Sequence, residues 1–259
     1  MSKMNELAAT KVAGLPATLV ERMQIDAGKG VSTAQEDNLV PLIYVLQALS
    51  PQVNKRNSEY LEGAEPGAIW LRNSPTPIVN GDEGIIFQPC HFSKDWVEWV
   101  PRDAGGGFVG RHPACPADAK RQEDPKNPNK VKFVRPNGNE VMETRYHVGF
   151  VVTANGPLPY VIPMSSSGHT ASKQWMFMMN SKLLANNKKA ASFAYLYRLK
   201  TKQRTNALGT WFTWDISDEG MVQTVDEYDR GCTLYEAFAS GAKQVEAPAK
   251  ELQTDTEVM

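Results

Sequence analysis

In "FAYLYRLKTKQR", Phe193, Tyr195, Tyr197 and Leu199 occupy alternate positions, and Arg198, Lys200, Lys202 and Arg204 follow on the intervening ones. Successive strand residues point to opposite sides, so a strand here carries rings on one face. The other face mixes apolar and basic groups, Ala194, Leu196, Arg198 and Lys200, with Lys202 and Arg204 following in the connector. A second aromatic run, "TWFTWDI", sets Phe212, Trp214 and Ile216 opposite Trp211, Thr213 and Asp215. Exposed rings stack on flat partners, and a cation cluster without an intervening acid neutralises phosphates. Strands also bury aromatics routinely, so any single ring is better explained by a core. The combination of rings and cations carries the signal.

Charge along the chain supports it. Residues 1–90 hold 7 basic and 10 acidic side chains, residues 91–204 hold 18 and 8, and residues 205–259 hold 3 and 11, giving nets of −3, +10 and −8. A basic body followed by an acidic end fits a polyanion binder whose tail competes for its own groove. An uneven but solvated surface gives the same totals.

Other chemistries lack an anchor. Cys90-His91 and His112-x-x-Cys115 offer four borderline zinc ligands, but neither pair has the spacing of a structural zinc site, and whether they bind zinc stays open. The serines of "SSSGHT" lack G-x-S-x-G and read as turn and helix-capping residues. "AGKGVST" lacks phosphate-loop spacing. Asp226, Glu227 and Asp229 read as a solvated helix face, and Asp215, Asp218 and Glu219 as turn residues. Neither an enzyme nor a cofactor is expected.

The elements that must position these residues are legible in part. "PATLVERMQIDA" is a modest helix within an N-terminal arm spanning 1–37. "NLVPLIYVLQALSPQV" has leucines near helical spacing and is expected to form a short buried helix ending at Ser50-Pro51. "YLEGAEPGAIWL" and "GIIFQPCHF" read as strands, and "DWVEWVPR" as a strand with a bulge or short turn. Residues 103–142 are rich in Gly, Pro and Asn and read as a long excursion with a hairpin at Arg135–Asn139, displaying Lys120, Arg121, Lys126, Lys130, Lys132 and Arg135 on a movable flap. "RYHVGFVVTANGPLPYVIPM" is a hairpin. "HTASKQWMFMMNSKLLANN" and "VDEYDRGCTLYEAFASG" are amphipathic helices, the first capped near Ser167 or Thr170, the second stopped by Gly241. One domain is expected over 38–242, with a flexible acidic tail over 243–259.

Three cysteines suit a reducing compartment, and no apolar run approaches the length of a membrane span, so a cytoplasmic protein is expected. Taken in order, "VPLIYVLQALSPQVNK", "EGAEPGAIW", "IIFQPCHFSKDWVEW" and "TNALGTWFTWDI" before a short helix and an acidic end make the chain similar to the single-stranded DNA-binding proteins of tailed bacteriophages. That resemblance implies an oligonucleotide-binding (OB) barrel, a place in phage DNA replication or recombination in the host cytoplasm, and partners recruited by the acidic end.

The resulting expectation is a mixed, β-dominated α+β fold, an antiparallel OB-like barrel with flanking helices. Trp96, Trp99, Tyr195, Tyr197 and Trp211 are the expected stacking platforms. Lys173, Lys188, Lys189, Arg198, Lys200, Lys202 and Arg204 are the expected phosphate contacts, with Arg111 and the flap lysines closing over the strand. A homo-oligomer is compatible with this reading. The rival is a phage structural or assembly protein in which the same rings make subunit interfaces.

Overall fold

The computed structural model describes residues 15–26, 29, 39–124, 127–154, 156–207 and 209–246. The remainder of the expected N-terminal arm, the turn residue Asn155, Lys126, the side chain of Lys130 and the tail from residue 247 lie outside the described residues.

Two long strands organise the molecule, β5 (Ile85–Val100) and β9 (Glu140–Thr153), paired antiparallel from Ile86↔Val152 to Trp99↔Glu140. Different neighbours flank the two ends of this ribbon. At one end β11 (Tyr195–Asn206) joins β5 and carries β12 (Gly209–Met221), while β10 (Gly156–Ser165) joins β9. At the other end β6 (Gly107–His112) joins β5, and β8 (Asn127–Val134) joins β9 and carries β7 (Lys120–Asp124). The result is one eight-stranded antiparallel sheet. The smaller strands are β1 (Leu39–Val40), β2 (Ile43–Val45), β3 (Ile69–Leu71), β4 (Ile78–Val79) and β13 (Gln244–Val245).

The sheet is covered on both faces. In β9, His147 and Val151 face one side, and Tyr146, Val148 and Phe150 face the other, so residues 146–151 are buried without interruption. Helix α2 (Gly168–Asn180) covers the first face through Trp175, which is wholly buried, stacked on His147 at 4.5 Å and set edge-on to Phe87 and Tyr197. Helix α3 (Val225–Ala239) covers the second through Leu234 and neighbours of Phe193. Gly231 permits that approach, because a Cβ there would meet Phe193 Cβ at 2.6 Å. Gln88 then donates from Nε2 to the carbonyls of Phe193 (2.8 Å) and Glu227 (2.9 Å). Helix α1 (Ala17–Ile25) buries none of its residues.

Thr224 and Glu227 form a capping box at the start of α3, with Glu227 N–H donating to Thr224 Oγ1 and the Glu227 carboxylate accepting from Thr224 N–H. Thr224→Ala should cost about 1 kcal/mol, read as a fall in chemical-denaturation midpoint at unchanged slope.

Three expectations need correction. Residues 39–47 are extended. Val40, Leu42, Ile43, Tyr44 and Leu46 are buried almost consecutively because the segment lies between β10 and β12, and that burial mimics helical spacing. The 103–142 excursion is largely three strands, with Arg135 N–H donating to the Asn139 carbonyl at 2.9 Å in the hairpin turn. The body also extends past residue 242, since β13 pairs in parallel with β1 through Leu39↔Gln244 and Val40↔Val245.

The large sheet is not closed into a barrel by a continuous ladder. Leu42 bridges Val161 of β10 in parallel, while on the other side Gln47 reaches β12 only through its side chain. That amide copies a strand unit: Nε2 donates to the Phe212 carbonyl and Oε1 accepts from Phe212 N–H, both at 2.9 Å.

Candidate nucleic-acid interface

The β11–β12 ribbon keeps its register from Tyr197 to the tip, with Arg198 opposite Ser217, Lys200 opposite Asp215, Lys202 opposite Thr213 and Arg204 opposite Trp211. Directly paired residues of antiparallel strands share a face, so the four cations and Trp211 stand on one side, the cations about 7 Å apart along the strand. Tyr195, Tyr197, Leu199 and Thr201 point to the other side, toward the core. β5 supports the ribbon only through Tyr197, Arg198 and Leu199, so its distal half projects beyond the sheet.

The acids on this ribbon are engaged. Arg198 donates from Nε and Nη2 to both oxygens of Glu219, at 2.9 and 2.6 Å, which lowers the carboxyl pKa and raises that of the guanidinium. Lys202 pairs with Asp215, and Lys182 with Asp218. Lys200 and Arg204 form no ion pair among the described residues. Exposed pairs of this kind are worth roughly 1 kcal/mol or less, so an arriving phosphate can compete for Arg198 and Lys202 while Lys200 and Arg204 stand open.

A second group gathers elsewhere. Trp96 lies edge-on to Phe133, with centroids 5.0 Å apart and planes at 82°. The two rings border a cavity of about 370 Å³ whose other wall holds Arg145, Ser166, His169 and Lys173. Trp96 shares its sheet face with the α2 side, whereas Arg198 pairs with Ile86 on the opposite face. The predicted residues therefore form two sets.

Several expected contacts are structural instead. Tyr197 is wholly buried against Trp175, and Trp99 is 3% exposed beneath Phe108, so neither ring can meet a base. Trp96 and Trp99 are three residues apart on a strand and face opposite ways. Tyr195 is half-buried, with the Lys182 ammonium 4.7 Å from its ring centroid. Arg111 lies over Tyr146 and donates to the carbonyls of Val245 and Glu246, anchoring β13. Lys188 is exposed in a turn, and Lys189 donates to Asn180 Oδ1 at 3.1 Å. Of the flap cations, Lys132 pairs with Glu140 at 2.6 Å and Arg135 with Asp118 and Glu98.

Glu98 is the group that sequence reasoning missed. Its side chain is 2% exposed and accepts from Asn139 Nδ2 at 2.6 Å and Arg135 Nη1 at 2.8 Å, with His112 Nε2 also at 2.8 Å. Burial pushes its pKa up, but these hydrogen bonds outweigh it and hold the carboxyl at about 2. The cluster ties β5, β6 and the 135–139 turn together. No local motif marks it, because its partners come from distant residues.

The histidines and cysteines are also placed. His147 Nε2 lies 2.9 Å from Ser172 Oγ, but both side chains are sealed in the core with the histidine pKa pushed by burial down to about 3, so this pair presents no nucleophile to solvent. Burial pushes the Cys90 thiol up to about 12. No group of three or more His, Cys, Asp or Glu side chains arranged to hold a metal occurs among the described residues. No described helix is long and apolar enough to cross a membrane.

Fold and site together define a β-dominated protein whose large antiparallel sheet is flanked by helices and carries a cationic two-stranded ribbon. The chain belongs to the Pam3 phage gp34-like protein family, which matches residues 9–244, and the family name points to a bacteriophage protein. No curated protein and no solved structure matches it.

Proposed function

We propose that this protein binds single-stranded DNA without sequence preference, in phage replication or recombination, along the outer face of β11–β12. The observation that carries the reading is the column Arg198, Lys200, Lys202 and Arg204 with Trp211 across from Arg204. A strand laid along it exchanges counterions for four cations and stacks a base on the indole, which is sequence-tolerant because every base has a π-face. Strands β5, β9, β10, β11 and β12, with residues 41–47 spanning the gap, are read as an OB-like barrel left open at Gln47. The acidic end beyond residue 246 is read as the recruiting segment for replication or recombination partners.

Affinity for poly-dT measured against salt tests this. The log–log slope should be negative by about 0.7 for each phosphate neutralised, and Lys200→Ala with Arg204→Ala should make it shallower by about 1.4. A salt-independent interaction, or none, would instead favour the structural or assembly role.

A further inference from the structure

The cavity bordered by Trp96 and Phe133 is separate from the ribbon face and has its own chemistry. At about 370 Å³ it has the size of a small-ligand site. One wall is apolar, and the near-perpendicular rings leave a corner in which a flat ring can stack on one and meet the edge of the other.

The opposite wall is polar with a surplus positive charge. Its carboxylates are committed, Glu140 to Lys132 at 2.6 Å and Glu143 to Arg145 at 3.0 Å. Lys173 lines the same wall, is exposed, and forms no ion pair among the described residues. His169, one turn earlier on α2, donates from Nε2 to the Glu143 carbonyl at 2.9 Å, which fixes its ring. The His169 backbone N–H already donates to the Ser166 carbonyl at 3.0 Å, so the Lys173 ammonium is the group on this wall that an anion can meet. Ser166 lines the cavity with φ 43°, a left-handed conformation unusual for serine that turns the chain into the helix.

We propose that this cleft binds one nucleotide unit, its base in the Trp96–Phe133 corner and its phosphate against Lys173. The choice of a nucleotide as the ring-bearing anion rests on the single-strand reading above. The unit is either a free nucleoside monophosphate or the 5′-phosphorylated end of a strand, which share this chemistry.

The test follows the Trp96 indole N–H resonance, identified by its absence in Trp96→Phe. Titration with dTMP should move it saturably. Thymidine, lacking the phosphate, and Lys173→Ala should each bind about tenfold more weakly or worse. If 5′-phosphorylated oligo-dT moves the resonance and dTMP competes with it, the strand end is the occupant; if dTMP alone moves it, the free nucleotide is. A resonance unmoved by either ligand, or dTMP binding insensitive to both Lys173→Ala and loss of the phosphate, overturns the proposal. The ribbon reading is judged separately by poly-dT: retained salt-dependent binding with a silent Trp96 removes the cleft alone, and a responsive Trp96 without poly-dT binding removes the ribbon alone.

Discussion

Tyr197→Ala should cost about 3–5 kcal/mol and melt the protein at temperatures where Trp211→Ala remains folded. Both rings come from the same aromatic-rich stretch, yet the ribbon sorts them to opposite sides. Tyr197 is 0% exposed, edge-on to Trp175 at 5.7 Å, within the cluster that includes Phe87, Leu199 and Trp214. Truncation leaves a cavity that these packed neighbours fill only in part. Its hydroxyl finds no hydrogen-bond partner among the described residues, so Tyr197→Phe keeps the ring and should be neutral or stabilising. Trp211 is half-exposed near the ribbon tip, and its loss should cost about 1 kcal/mol or less of stability while weakening single-strand binding by about tenfold or more. Thermal melts paired with poly-dT titrations of the three variants check both halves of this statement.

The second large effect is acid lability, which should begin unusually early. His147 is fully buried and neutral, with a pKa pushed from 6.5 to about 3 by burial. Between those values the unfolded chain binds a proton that the folded protein does not, so stability rises with pH across the window and is lost as pH falls below 6.5. The loss should be on the order of 3 kcal/mol between pH 6.5 and pH 4. Glu98 adds a later limb. Its folded pKa of about 2 lies below the ordinary 4.5, so its contribution is present above 4.5 and disappears as pH drops toward 2. His147→Gln should lower stability at neutral pH and flatten the first limb. Glu98→Gln should flatten the second and lower stability at neutral pH, because the buried amide replaces a carboxylate that accepts from Asn139 and Arg135, while Arg135 keeps its pair with Asp118. Denaturant midpoints of the wild type and both variants measured from pH 7 to pH 2 resolve the two limbs.

Sequence pattern disclosed the elements whose period is undisturbed. The β9–β10 hairpin, α2, α3 and the β11–β12 pair all follow from alternation, amphipathic spacing and turn or capping residues. It misled where burial came from both sides. Residues 40–46 lie between β10 and β12, and nearly continuous burial erased the period of two that marks a strand. Turn-forming composition likewise hid β6, β7 and β8, whose pairings with β5 and β9 depend on residues far away in the chain.

The site was legible to the same extent. Arg198, Lys200, Lys202, Arg204 and Trp211 could be assembled from alternation plus one hairpin register, both local properties. Which ring of "FAYLYRL" faces the core was not, because that depends on α2 delivering Trp175 to one side of the sheet. The joining of Trp96 with Phe133, His169 and Lys173 required knowing where the β7–β8 hairpin and the first turn of α2 meet the sheet.

The ribbon account is tested most directly by tryptophan fluorescence during titration with poly-dT, comparing the wild-type chain with Trp211→Phe at equal far-UV signal. It predicts saturable, salt-sensitive quenching in the wild type that is mostly lost in the variant. Equal quenching in both, or no response to poly-dT at low salt, contradicts it.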